Sequence, residues 1–275
     1  MSVNSKQPAL KINQWLTVAA EKLRAADIST AHLDAELILA HALGRNRTWL
    51  LAHDSETFNY ADADELLQKR IQRIPLAYLT GHKEFYGRDF TVNEHVLIPR
   101  PDTEEIIEQL KLLAPHKSQR LIDIGTGSGA IAITAKLEFP DLQVEAVDVS
   151  RSALIIAGQN ATTHQAKVEF YESNLLGATR NTYNFILANL PYVDQIWKRS
   201  TETDYEPPLA LFADDAGLAL IKKCIEQAHD KLVPSGYLLL EADPRQFDEI
   251  IGFAMQHELK PIRINEYVMT LQRSK

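Results

Sequence analysis

Four consecutive residues, Asn189-Leu190-Pro191-Tyr192, combine a side-chain amide, a ring that fixes φ and an aromatic plane. Those are the parts needed to hold a flat group that carries NH2. The tetrapeptide follows Tyr183–Ala188, a short apolar run that reads as a buried parallel strand. In an open α/β sheet, ligands bind just beyond the carboxyl ends of the strands. Asn and Pro also end strands in ordinary turns, so the tetrapeptide needs a second cluster to become a site. Gly125-Thr126-Gly127-Ser128-Gly129 supplies one. Its glycines let backbone approach a ligand and adopt φ values that side chains disfavour. The helix N-terminus behind them favours a polar or negative group. Asp148, 19 residues after Gly129, ends the next strand, where a carboxylate takes a ribose diol. With Ala130 the string also satisfies G-x-G-x-x-A, so a nicotinamide dinucleotide is permitted. The glycines specify a nucleoside-bearing cofactor without saying which.

The elements that must position these residues follow from the hydrophobic pattern. From Arg120 the rhythm is strand, helix, strand, which specifies a parallel sheet. Strands are expected at 121–124, 144–147, 168–171, 183–188 and 236–241, with two more at 262–265 and 267–271 forming an antiparallel terminal hairpin. Helices are expected at 130–139, 150–161, 214–232 and 244–257. Ahead of them, residues 76–100 read as a hairpin of two short strands around Gly87, with Val96–Ile98 able to pair as well. Asp102 or Thr103 is expected to cap the helix that follows. Four amphipathic helices within 9–74, the last stopped by Pro75, make a small helical domain. The expected division is 1–80 helical, 81–100 connector and 101–275 α/β.

Composition narrows the classes. The chain has 275 residues, 45% hydrophobic and 24% charged, as in an ordinary soluble protein of two domains. Residues 1–100 hold 12 basic and 12 acidic side chains and residues 101–275 hold 17 and 25, so the net charge of −8 falls entirely on the second part. No basic stripe of the kind that replaces phosphate counterions is visible, which disfavours nucleic acid as a partner. A single cysteine, Cys224, excludes an internal disulfide and a Cys-based zinc site, and its apolar neighbours predict a buried hydrophobe. None of the nine His sits at metal-ligand spacing, so no metal is expected. The polar N-terminus and the absence of a long apolar window predict a cytoplasmic protein that does not enter a membrane. Trp15, Trp49 and Trp197 are expected to pack, and Glu206-Pro207-Pro208 to form either substrate rim or solvated loop.

Asn189 decides between the cofactors. Dinucleotide dehydrogenases have no use for Asn-x-Pro-Tyr after the fourth strand, whereas methyltransferases acting on planar nitrogens do. The chain resembles, nearly end to end, the protein-(glutamine N5) methyltransferases that modify peptide-chain release factors. The matching stretches are PLAYLTGHKE (75–84), LIPRPDTE (97–104), DIGTGSGA (123–130), Ala146-Val147-Asp148, Ala188–Tyr192, Tyr205-Glu206-Pro207 and GYLLLE (236–241). LIPRPDTE is the most specific, because nucleic-acid methyltransferases generally lack it.

The resemblance implies a Rossmann-like class I methyltransferase fold, α/β with a mostly parallel seven-stranded sheet, preceded by a helical substrate-docking domain and a β-hairpin connector. It implies S-adenosylmethionine in the loop Gly125, Thr126, Gly127, Ser128 and Gly129, with Asp148 on its ribose, Asn174 and Leu175 bordering the adenine, and Asn189 beside it. A glutamine side chain of a release factor would lie at Asn189, Leu190, Pro191 and Tyr192, with Asn189, Pro191 and Tyr192 serving catalysis and Tyr192 stacking on the amide. Two positions depart from the family pattern. Leu190 replaces the first proline of Asn-Pro-Pro-Tyr, keeping the backbone carbonyl and losing the fixed φ. Asn174 replaces an aspartate, so an uncharged acceptor faces the adenine amino group. Asn-Leu-Pro-Tyr also occurs in enzymes resembling ribosomal-RNA adenine dimethyltransferases, which keeps an adenine N6-methyltransferase as the alternative. The two departures motivate a third reading, a catalytically silent homologue.

Overall fold

The computed structural model describes residues 10–275; residue 9, the expected start of the first helix, lies with residues 1–8 outside the described residues. The chain divides into two compact units, one reaching to Gly81 and including Thr201–Tyr205, the other comprising His82–Ser200 and Glu206–Lys275.

The first unit holds α1 (Ile12–Ala25), α2 (Ala31–Ala42), α3 (Arg47–Ala52), α4 (Ala61–Ile71) and α5 (Leu76–Thr80). Ile12, Trp15, Leu16, Ala19 and Leu23 recur at helical spacing on α1 and are buried against α2. Local signals set the ends. Gly44 (φ 60°) follows α2, and Asn46 Oδ1 accepts from Trp49 N at 2.8 Å to cap α3. The helix α5 lies where the sequence suggests the start of the connector. Pro75 cannot continue α4, but it stands before a new first turn without loss, and Gly81 (φ 76°) closes that helix. Trp15 packs as expected, stacking on Tyr60 while its Nε1–H donates to Asp64. Arg70 of α4 is buried and donates to Asp34 Oδ2 (2.7 Å), to Glu202 Oε1 (3.0 Å) and to the Ile74 carbonyl.

The second unit opens with a hairpin, β1 (His82–Phe85) and β2 (Arg88–Thr91), turned by Tyr86 and Gly87, both at positive φ. Val96–Ile98 does not join it; that stretch buries Val96 and Ile98 as irregular chain. Then come α6 (Glu104–Leu112), β3 (Arg120–Ile124), α7 (Ala130–Glu138), β4 (Gln143–Asp148), α8 (Arg151–Thr163), β5 (Glu169–Glu172), β6 (Tyr183–Ala188), α9 (Pro208–Leu211), α10 (Ala219–Lys231), β7 (Leu232–Glu241), α11 (Phe247–Gln256), β8 (Leu259–Asn265) and β9 (Val268–Arg273). Seven strands form one sheet in the order β5-β4-β3-β6-β7-β9-β8. The first five are parallel, and β9 inserts antiparallel between β7 and β8. Alternation along the strands feeds two cores. Ile122, Ile186, Leu238 and Leu240 face α10 and α11, whereas Leu121, Phe185, Leu187 and Leu239 face α6 and α7.

The chain leaves β3 toward β4 and β5 on one side and returns on the other side as β6. The order therefore reverses between β3 and β6, where a crevice opens at the strand ends. Among the described residues, no helix is long and apolar enough to cross a membrane.

Candidate functional site

Ile124 and Ala188 are register partners at the ends of β3 and β6, so the glycine turn and the Asn189 tetrapeptide leave the sheet side by side. The three glycines act differently. Gly125 (φ 69°) lets the turn close on the tetrapeptide: a Cβ there would stand 3.2 Å from Leu190 Cδ2. Leu190 is buried, filling the space beneath that turn. A Cβ on Gly127 (φ 54°) would meet nothing within 4 Å and would stand in open space at the cavity wall. Gly129 (φ 82°) is a packing glycine, since its Cβ would lie 2.9 Å from Ile133 Cδ1 and 3.2 Å from Ala157 Cβ.

Between the glycines, Thr126 and Ser128 turn inward. The Thr126 hydroxyl donates to Asp123 Oδ2 at 2.6 Å, and the Ser128 carbonyl accepts from Asn160 Nδ2 at 2.9 Å. Asn160 also exchanges hydrogen bonds with both backbone groups of Thr91, which ties the hairpin to the glycine turn. Asp123 is fully buried, and burial pushes its carboxyl up to about 7 against the pull of Thr126; the charge of Asp148 adds to the rise. Asp148 is likewise raised by burial, opposed by backbone N–H groups. Its two oxygens accept from Gly127 N (2.9 Å) and Ser150 N (2.8 Å), which fixes the carboxylate at the mouth of the turn.

A cavity of about 240 Å³ occupies the crevice, lined by Gly125, Gly127, Asp148, Asn174, Leu175 and Asn189–Pro191. Leu175 holds φ 52°, a left-handed conformation uncommon for leucine, with its carbonyl accepting from Ser173 Oγ at 2.6 Å. Of the residues singled out from sequence, Thr126, Ser128, Gly129 and Tyr192 are not on this wall. The wall also includes His95, Val96 and Leu97 from the connector and Pro207, Leu209 and Ala210 around α9. Of these six, the sequence offers Val96 and Leu97 as part of a pairing strand and Pro207 as substrate rim or solvated loop, and leaves His95, Leu209 and Ala210 unassigned. Glu206 is neither solvated nor rim: it is buried, accepting from Ile98 N and from the Arg100 guanidinium.

Asn189 is half-buried, and its Nδ2 donates to Thr103 Oγ1 at 3.0 Å. The expectation that Asp102 or Thr103 caps the helix through its side chain is corrected: no side-chain capping bond is made. Thr103 is itself helical (φ −65°, ψ −21°) and its side chain makes no capping bond, because the hydroxyl is engaged by Asn189. Among the described residues, no group donates to Asn189 Oδ1 or to the Leu190 carbonyl. Tyr192 packs its ring on the core, and its hydroxyl donates to Glu241 Oε1 at 3.1 Å. Burial, followed by the Glu241 charge, drives the Tyr192 phenol well above its ordinary range. Burial also raises the Glu241 carboxyl, with the hydroxyls of Thr103 and Tyr192 pulling it down. Sequence reading took Glu241 for the end of a strand and missed it. Gly217 (φ 86°) makes room for Tyr192: a Cβ there would sit 2.0 Å from the Tyr192 carbonyl oxygen, which accepts from Gln246 Nε2. Among the described residues there is no cluster of His, Cys, Asp and Glu able to hold a metal ion.

Residues 14–81 match the family described as the PrmC N-terminal domain, and residues 103–204 match the methyltransferase small domain. A release factor glutamine methyltransferase of Koribacter versatilis is 39% identical over 249 residues, covering 86% of this chain and 89% of its own. One of Deinococcus radiodurans is 35% identical over 242 residues, with 86% and 87% covered. A crystal structure of a methyltransferase from Pyrococcus furiosus superposes with a TM-score of 0.55 at 19% identity, over 76% of this chain and 98% of that one, a likeness of fold.

Proposed function

This chain belongs to the release factor glutamine methyltransferase family, and we propose that it transfers a methyl group from S-adenosylmethionine to the side-chain amide nitrogen of a glutamine in a peptide-chain release factor. One observation carries the reading. Asn189 and Leu190 both line the cavity, and among the described residues neither Asn189 Oδ1 nor the Leu190 carbonyl has a donor, so the pair offers two acceptors for the two N–H groups of a primary amide.

The chain's residues fit the cofactor. Gly125 and Gly127 leave backbone bare at the wall, Asp148 presents a carboxylate held by backbone N–H groups for the ribose hydroxyls, and Asn174 and Leu175 border the place for the adenine. When bound, S-adenosylmethionine supplies a methyl group on a positively charged sulfur, which leaves as a neutral thioether. The protein's task is to aim the nucleophile. An amide lone pair is delocalised, and abolishing that resonance would cost on the order of the ~18–20 kcal/mol rotation barrier. Two hydrogen bonds worth ~1 kcal/mol net each cannot supply that. They can fix both N–H groups so that the lone pair faces the methyl at near-attack distance. They also favour the positive charge that grows on nitrogen in the transition state, a charge discharged when the methylated nitrogen gives up one proton to water. Tyr192 acts from behind the wall, holding the end of the tetrapeptide through Glu241 and Gln246. The first unit serves to dock the protein substrate, and the site of action is the cytoplasm, where release factors work.

The test is methyl transfer from radiolabelled S-adenosylmethionine to an unmodified release factor, to the same factor with its target glutamine replaced, and to ribosomal RNA. Label in the intact factor alone is expected. Label in RNA alone would overturn the reading in favour of the adenine chemistry that Asn-Leu-Pro-Tyr also serves. No label in any of the three, with cofactor binding intact by calorimetry, would mark a silent homologue.

A further inference from the structure

Resting on the reading that the crevice cavity takes the cofactor and the substrate amide together, we propose that Glu206 is a positioning residue that joins two stretches of the cavity wall, the connector and the segment leading into α9. The need for it begins with two prolines. Pro99 and Pro101 carry no N–H, and each holds the residue before it extended; Arg100 between them has φ −98° and ψ 144°. Val96–Ile98 joins neither sheet, yet Val96 and Ile98 are buried, so the Ile98 N–H must find its acceptor elsewhere. Glu206 Oε2 accepts from it at 3.1 Å. Glu206 Oε1 accepts from the Arg100 guanidinium, and that guanidinium also donates to the Ile98 carbonyl at 3.0 Å. Both backbone groups of Ile98 are therefore held, one by each member of the ion pair. The Glu206 side chain is 2% exposed and that of Arg100 is 34% exposed.

The joint lies one residue from the cavity on each side. Val96 and Leu97, just before Ile98, line the cavity, and so does Pro207, just after Glu206. The chain continues along the wall through Leu209 and Ala210. At its far end it is tied to the residue that follows the tetrapeptide, where Val193 N donates to the Leu211 carbonyl at 3.0 Å. This stretch of wall is thus fixed at one end by Glu206 and at the other by Val193. Between the two ties, α9 has four residues, too few to hold itself as a helix, and Leu209 is 63% exposed. Its place is set by its ends. Glu206 acts through Leu97 and Pro207, which keeps the wall at a fixed distance from the glycine turn and Asn189. Reaction at near-attack distance is sensitive to this, since a misplacement of about 1 Å costs on the order of a hundredfold in rate.

An ion pair with one buried member allows stability and position to be separated. Arg100→Met leaves a buried carboxylate without its cation, whereas the double variant Arg100→Met/Glu206→Leu removes both charges and should recover stability without restoring either hold on Ile98. Glu206→Gln keeps an acceptor for the Ile98 N–H. The experiment compares these three and Glu206→Leu with the wild type. It reads thermal unfolding, S-adenosylmethionine binding by calorimetry, kcat and KM for the release factor at a temperature where each variant is folded, and amide exchange at Ile98 in the full chain. The double variant is expected to unfold at a higher temperature than Arg100→Met and still to show kcat/KM lowered about tenfold to a hundredfold, weaker cofactor binding and faster exchange at Ile98. Glu206→Gln should keep the Ile98 protection and more of the cofactor affinity than Glu206→Leu. Activity that returns with stability in the double variant would overturn the proposal, leaving a pair that only supports the fold. Wild-type cofactor affinity, kcat and KM in Glu206→Leu would overturn it as well. If the wild type methylates no glutamine, the functional reading fails, while cofactor affinity and Ile98 exchange in the same variants still decide whether Glu206 holds the wall.

Discussion

Each residue of the glycine turn carries a separate physical burden, so substitutions there should separate binding from folding. Gly127→Ala adds a methyl group to open cavity at φ 54°. We expect about 1–2 kcal/mol of strain, a folded protein and a large loss of cofactor affinity. Gly129→Ala drives its methyl into Ile133 and Ala157 at φ 82°, and should cost about 2–4 kcal/mol of stability. Thermal unfolding and calorimetric titration of both variants check the contrast. Asp123 beneath the turn gives a pH dependence with a definite sign. Folding favours its neutral form, so its contribution is complete below the ordinary carboxylate range and disappears as pH rises through about 7. Relative to Asp123→Asn, wild-type stability without cofactor should fall between about pH 4 and about pH 7, by at most about 4 kcal/mol. Parallel pH profiles for the two proteins would contradict this.

Among the elements, the turn before α10 shows what sequence pattern leaves out. A helix from residue 214 is a fair expectation from composition, yet Asp215, Ala216 and Gly217 all hold positive φ and the helix starts at Ala219. The cause is distant in sequence: the Tyr192 carbonyl needs the space a Cβ at Gly217 would fill. Gly217→Ala should therefore lower stability by about 3 kcal/mol or more and reduce kcat through Tyr192. Urea titration with activity measured in parallel checks it, and a variant as stable and active as the wild type would refute the packing account. The strands, their order of appearance and the two clusters beyond β3 and β6 were legible because period-2 runs and glycine turns are local signals. Thr103 and Glu241 were not. Both lie in quoted stretches, LIPRPDTE and GYLLLE, but one reads as a cap and the other as a strand end. The bonds of Thr103 to Asn189 and of Glu241 to Tyr192 depend on tertiary packing. Glu206 was misjudged for the same reason, since its partners Ile98 and Arg100 lie about a hundred residues earlier.

At the scale of the whole molecule, the sheet order places the glycine turn and Asn189 at one crevice, and the helical unit has its own core and its own buried charge. Arg70 lies between Asp34 and Glu202, so Arg70→Leu would leave buried Asp34 without its cation, while Glu202 keeps Arg73. We expect about 3–5 kcal/mol of lost stability, with cofactor affinity unchanged. Differential scanning calorimetry with and without S-adenosylmethionine checks both halves. The central claim, that the methyl group goes to an amide nitrogen oriented by Asn189, has a more direct test. Acid hydrolysis of an N-methylated glutamine frees methylamine, whereas a methyl group on carbon or oxygen of the factor, or on an adenine ring, does not yield it. A release factor labelled by the wild-type enzyme should give volatile labelled methylamine on hydrolysis, and Asn189→Ala should give about a hundredth as much or less in the same time. Label that stays involatile, or an Asn189→Ala enzyme as fast as the wild type, would contradict the account.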